Sequence, residues 1–180
     1  MKQGNLEILL KQDRKLFHTA DLALLWEMPN RNSLYMAIYR MVKRGVLFPV
    51  HRGFYSVVPI STLSEISLGA SFLHRYCYLS TETVLSQKGI ILQAVYKTTF
   101  VSDVSKSFTI GGKQFLARIA KSSVLHNTTG IYQSDIGVLC ADVDRAVADM
   151  LYFQPNYHFD NAANIDWDKV RLVQKELHKI

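Results

Sequence analysis

Arg31 and Asn32 stand side by side, and each carries a planar group able to make two hydrogen bonds in one direction. A guanidinium matches a pair of acceptors, and a carboxamide matches an adjacent donor and acceptor. Guanine and adenine offer these pairs on their major-groove edges. Ser33 and Tyr35 follow, with Met36 and Tyr39 next along the same side. Arg40 and Lys43 lie further along, where cations suit phosphates, which fix register without reading sequence. His51 and Arg52 are placed to reach the backbone or the minor groove from a separate loop. The chemistry implied by these nine residues (Arg31, Asn32, Ser33, Tyr35, Tyr39, Arg40, Lys43, His51 and Arg52) is recognition of double-stranded DNA, without catalysis. The alternative is the same scaffold used for protein contact.

Such residues work only if a helix and a hairpin present them. Thr19 is expected to cap a helix carrying Leu22, Leu25 and Trp26 on one face, ending at Met28 because Pro29 disfavours a helical residue before it. Asn30 is then the cap of a second helix to about Arg44, buried through Leu34, Ile38 and Met41 and closed by Gly45 in the left-handed conformation. The break of Met28-Pro29-Asn30 has helix-turn-helix length. Beyond it, Val46–Val50 and Phe54–Val58 read as strands joined by His51-Arg52-Gly53. A shorter helix is expected over 5–13, from Leu6, Leu9 and Leu10. The order describes a winged helix-turn-helix over 1–60.

The remainder, 61–180, reads as a small mixed α/β domain, making the whole chain α+β. Helices are expected over about 63–75, with Ile66, Ala70 and Leu73 inward, from Ser80 or Thr81 to before Gly89, from Asp142 or Asp144 to Phe153, and over 166–178. Strands are expected at 94–102, at 107–119 around a Gly111-Gly112 turn, and at 131–133. Tyr152, Phe153, Tyr157, Phe159 and Trp167 are expected to lock the last helix in place, or else to form a partner-binding patch.

Other chemistries find less support. A metal-dependent nuclease needs converging carboxylates, usually with an acidic-x-Lys pair on a strand, and no such pair occurs in the strand candidates. Asp142, Asp144 and Asp149 cluster, but capping and an Arg145–Asp149 pair at i,i+4 account for them. His74-x-x-Cys77 has zinc-like spacing, yet further ligands would have to come from His126 and Cys140 far away. Ser80 and Ser86 lack a Gly-x-Ser-x-Gly elbow. Gly111-Gly112 is not followed by the Lys-Ser/Thr of a phosphate loop. No cofactor and no metal are expected.

Charge separates the two parts. Residues 1–60 hold nine Lys or Arg against four Asp or Glu, a surplus of five, while the remaining twelve and eleven leave a surplus of one. A basic part beside a neutral one fits a polyanion partner for the first. A content of 48% hydrophobic and 20% charged residues is ordinary for a globular protein. Apolar runs such as Leu22–Trp26 and Ile90–Leu92 are far shorter than the roughly 20 residues of a membrane span. Lys2 precedes no continuous apolar segment with a cleavage site, so no secretory signal is expected. With two cysteines and no disulfide framework, a reducing cytoplasmic setting is the expectation.

The segment Arg40-Met41-Val42-Lys43-Arg44-Gly45-Val46-Leu47 with Arg52-Gly53-Phe54-Tyr55 resembles the Leu-x-Lys-x-Gly-x-Leu … Arg-Gly-x-Tyr signature of AbiEi-family antitoxins. Tyr78-Leu79-Ser80, Thr83-Val84-Leu85 and Gly89-Ile90 resemble that family's Tyr-Ile-Ser-x-x-Ser-Ala-Leu-x-x-x-Gly-Leu stretch, with Thr83-Val84 replacing Ser-Ala. Asp144-Arg145-Ala146 and Asp149 resemble its Glu-Arg-Ala-Leu-x-Asp helix, with Asp144 replacing Glu. The resemblance implies a regulator of a type IV toxin–antitoxin, phage-defence locus. Its N-terminal domain would bind the operon's own promoter, and its C-terminal domain would counteract a nucleotidyltransferase-like toxin. The rivals are a ligand-sensing winged-helix transcription factor, with a pocket under the Phe100–Phe115 sheet, and a DNA-processing nuclease.

Overall fold

The computed structural model describes residues 4–178, so Lys2 lies outside the described residues. The chain is mixed α+β and divides into two compact units, one ending at Ser64 and the other beginning at Glu65. The sequence-based boundary lies four residues earlier, because the chain after Pro59 forms a 3₁₀ turn, Ile60–Thr62, that stays with the first unit.

The first unit contains α1 (Asn5–Leu10), β1 (Leu16–His18), α2 (Thr19–Leu25), α3 (Arg31–Lys43), β2 (Phe48–His51) and β3 (Phe54–Ser56). Its core joins Leu9, Phe17, Leu22, Trp26, Leu34, Ile38, Met41 and Leu47. Leu6 and Leu10 of α1 remain exposed, so that helix buries Leu9 in the core and packs a partly buried Ile8 against it. The cap of α2 is His18 rather than Thr19: the His18 amide donates to Asp21 Oδ2 at 2.8 Å. Thr19 instead donates its amide and hydroxyl to the Gly53 carbonyl, at 2.9 and 3.2 Å, tying the start of α2 to the hairpin tip.

Helix α2 ends at Leu25, three residues before the expected stop. Glu27 adopts φ +52°, and the Glu27 and Met28 amides donate back to Leu24 and Ala23. This pair of bonds is the Schellman arrangement that terminates a helix, so the chain has left the helix before Pro29 acts. Helix α3 follows its expected limits. Asn30 accepts from the Ser33 amide at 3.0 Å, and the far end closes at Gly45, at φ +70°, whose amide donates to the Val42 carbonyl while the Val46 amide donates to that of Met41. The antiparallel sheet has the order β1-β3-β2, and Gly53 at φ +73° makes the β2–β3 turn. Strand β1 has no counterpart in the sequence reading.

The second unit is built on a mixed six-stranded sheet of order β6-β7-β5-β4-β9-β8. Its strands are β4 (Cys77–Leu79), β5 (Lys97–Ser102), β6 (Lys106–Ile110), β7 (Lys113–Ile119), β8 (Ile131–Gln133) and β9 (Leu139–Ala141). β5 pairs with β7 and β4 with β9 in parallel, and the other neighbours are antiparallel. Gly111 and Gly112, both at positive φ, form the two-residue β6–β7 turn. The helices are α4 (Glu65–Leu73), α5 (Glu82–Gln87), α6 (Ser122–Leu125), α7 (Val143–Phe153) and α8 (Trp167–His178).

The inward residues of α4 are Leu68, Gly69 and Leu73, with Ile66 and Ala70 only half buried. Gly69 decides this rotation. A Cβ there would sit 2.5 Å from the Phe115 ring and 2.8 Å from that of Phe100, so the helix lies directly on β5 and β7 where a ligand pocket was considered. β4, β9 and α6 are absent from the sequence reading. Among the described residues no helix is long and apolar enough to cross a membrane.

Candidate nucleic-acid interface

Helix α3 buries Leu34, Ile38 and Met41, packs Ala37 and Val42 half-buried beside them, and leaves the rest in solvent. At 100° per residue, Asn32, Tyr39 and Lys43 run along the centre of the exposed side. Tyr35 and Met36 flank them, with Arg31 and Arg40 outermost. The helix contains no acidic residue. Its cations are therefore unopposed along its own length.

Two of those cations are held against aromatic rings. The Arg31 guanidinium lies 5.7 Å from the Tyr35 ring centre, and Lys43 Nζ lies 5.7 Å from that of Tyr39. Such contacts are worth about 0.5–1 kcal/mol at exposed sites, enough to bias rotamers without immobilising the side chains. Ser33 is exposed, and its amide is used by the Asn30 cap. The cap leaves the positive end of the helix dipole beside Arg31 and Asn32.

The β2–β3 hairpin faces the start of α3 across an open cleft of about 910 Å³. Arg31, Asn32 and Tyr35 line one side, and Pro49, Val50, His51, Arg52, Gly53 and Tyr55 the other. The structure thus gathers five of the nine sequence-selected residues in one concavity: Arg31, Asn32, Tyr35, His51 and Arg52. Ser33, Tyr39, Arg40 and Lys43 lie outside the cleft, on the exposed faces of α3. Tyr55 was not among the nine. Its signal was the two-residue period of β3, in which Phe54 and Ser56 are buried and Tyr55 points to the opposite face. Burial and the neighbouring Tyr35 push its phenol above the ordinary tyrosine range, and a hydrogen bond with Thr19 pulls it back only in part. It stays a hydrogen-bond donor at neutral pH.

The second unit handles charge differently. Arg145 and Asp149 pair at 2.9 Å, at the i,i+4 spacing the sequence showed, but both are fully buried. Every N–H of Arg145 has an acceptor: Asp149 Oδ1, the carbonyls of Asn127, Thr129 and Val124, and Tyr78 Oη, at 2.6–2.9 Å. Burial opposes the guanidinium's charge, but Asp149 and Tyr78 outweigh it and the group stays ionised. Asp142 caps α7 by accepting from the Arg145 amide at 2.8 Å.

Ser80 does not cap α5. Its hydroxyl donates to Asp149 Oδ2 at 2.7 Å, inside the same network. Thr81 links β4 to α5 at φ +52°, ψ −132°, a strained setting for a β-branched residue. A strand-to-helix turn of this kind exposes the nucleophile of some hydrolases. Here Thr81 is buried and its hydroxyl has no hydrogen-bond partner, so no base is in place to activate it. Glu82 and Arg118 pair beside it, with Arg118 over the Phe153 ring.

Cys77 and Cys140 are buried thiols, and His126 stacks on Tyr76 at 5.0 Å. Among the described residues no group of three or more His, Cys, Asp or Glu side chains could hold a metal ion. Tyr157, Phe159 and Trp167 pack edge to face in sequence, joining the chain after α7 to the start of α8.

No protein-family model matches the chain, and no curated protein matches it either.

Proposed function

We propose that the first unit is a winged helix-turn-helix and that the chain is a sequence-specific DNA-binding transcriptional regulator. The observation that carries this reading is the exposed side of α3, basic and free of acidic residues, beside a hairpin that brings His51 and Arg52 across a cleft from Arg31 and Asn32. Arg31 and Asn32 read base edges, Arg40 and Lys43 neutralise phosphates, and the hairpin holds the backbone alongside. Occupancy of a promoter then blocks transcription. The motif resemblance alone supports the narrower role, an autorepressing antitoxin of a type IV locus whose second unit meets a nucleotidyltransferase-like toxin.

The test is titration of duplex DNA with the full chain across a salt series. With about four phosphates neutralised, log K falls with log salt at a slope near −4. Arg31→Ala and Asn32→Ala relax sequence preference at one position each, by roughly 1–3 kcal/mol. Failure to bind any duplex at low salt, or binding indifferent to salt, refutes the reading.

A further inference from the structure

The exposed side of α3 is not uniformly polar. Tyr35, Met36 and Tyr39 are 42%, 51% and 54% exposed, between Arg31 and Asn32 at one end and Arg40 and Lys43 at the other. Exposed single hydrophobics need no explanation. Three on adjacent positions of one cationic helix face make a continuous apolar stripe. A major groove presents hydrogen-bonding edges at every base pair but one apolar feature, the C5-methyl group of thymine. We propose that Tyr35, Met36 and Tyr39 read thymine methyl groups, so that the preferred site of this protein places thymines next to the base pairs contacted by Arg31 and Asn32.

The inference rests on the DNA-binding reading and adds the composition of the site. Four residues of α-helix from Tyr35 to Tyr39 rise about 6 Å, close to two base-pair steps at 3.4 Å each. The stripe therefore spans about two adjacent thymines, on either strand. The cations help twice. Arg31 and Lys43 bracket the stripe and hold the rings of Tyr35 and Tyr39. Their charge also favours a polyanionic partner over an apolar protein surface.

The experiment selects bound duplexes from a randomised pool with the full chain, then replaces each thymine of the selected site by deoxyuridine. This change removes the methyl group and keeps the Watson–Crick edge. Affinity is expected to fall about fourfold for each contacted thymine, the effect of one buried methyl group. Met36→Ala and Tyr39→Ala should each abolish the thymine-to-uridine ratio at one position. Arg40→Ala should weaken both duplexes and leave the ratio unchanged. Equal binding of the thymine and deoxyuridine sites overturns the proposal while the DNA-binding reading stands. A Tyr35→Ala, Met36→Ala, Tyr39→Ala triple variant that keeps the ratio also overturns it, because other residues then read the methyl groups. A pool from which no duplex is enriched refutes the DNA-binding reading itself, and the thymine proposal falls with it.

Discussion

Arg31 and Arg40 of α3 stand in solvent on a helix without a single carboxylate, whereas Arg145 of α7 is fully buried with all of its donors engaged. The two helices share a residue type and differ in what completes it. In α7 the acceptors come from the chain itself: Asp149 one turn on, Tyr78 on β4, and three carbonyls between Val124 and Thr129. A buried charge is tolerable only when paired and hydrogen-bonded in this way. In α3 no carboxylate of the helix supplies an acceptor, and on the proposed function DNA would supply it. An arginine with its donors satisfied internally organises a fold; one with its donors in solvent keeps them available to an anion.

The comparison is most sharply tested at Arg145. Arg145→Met strands the Asp149 carboxylate and three carbonyls, and should cost about 3–5 kcal/mol of stability in urea unfolding of the full chain. A loss under about 1 kcal/mol would mean that the network is ornamental, and the contrast with α3 would collapse. Replacing both partners, with Arg145→Met and Asp149→Leu, should recover part of the loss because no unpaired charge remains.

Between pH 9 and 10, alkali probes the same interior with a smaller effect. Burial, helped by Asp103, pushes the Cys77 thiol from 9.0 up to about 12. Between those values the unfolded chain has lost a proton that the folded chain retains. Stability is therefore undiminished by this group below pH 9. It declines as pH rises toward 12, at up to about 1.4 kcal/mol per pH unit. Tyr78, raised mainly by burial, adds to the decline above pH 10. Cys77→Ala should flatten the limb between pH 9 and 10, and an unchanged slope in denaturation midpoints there would place the responsible group elsewhere.

The smallest stability effect belongs to α3. Arg40→Ala and Lys43→Ala should each move the unfolding free energy by no more than about 0.5 kcal/mol, while lowering the salt slope of duplex binding by about 1. A stability loss comparable with that of Arg145→Met would show that these cations hold the fold after all.

The candidate interface was largely legible in the residue order because its signals are local. Asn30 caps through its own side chain, Gly45 ends the helix through its own φ, and a helical period sorts Leu34, Ile38 and Met41 inward from Arg31, Asn32, Tyr39 and Lys43 outward. The cleft with Tyr55 was less so, since it depends on where the hairpin closes. The expected end of α2 misjudged the agent: Pro29 was visible, but the chain is already turned by Glu27 in a conformation that few side chains adopt. On α4, Ile66 and Ala70 look as apolar as Leu68, and only the near contact of Gly69 with Phe100 and Phe115 selects the face.

What the sequence determined by itself was therefore short-ranged: the limits of α3 through its Asn30 cap and Gly45, the start of α7 at Asp142 or Asp144, the Gly111-Gly112 hairpin, and a charge surplus concentrated in the first sixty residues. Each of these depends on neighbours within a few positions. Tertiary structure alone decided that Leu16–His18, Cys77–Leu79 and Leu139–Ala141 are strands, and that Arg145 is an interior residue. Cys77–Leu79 is buried at every position and so shows no period, and these three segments become strands when a distant partner accepts their hydrogen bonds. The charge on Arg145 is likewise bearable only once Tyr78, 67 positions away, and the end of α6 with the chain to Thr129 have closed around it.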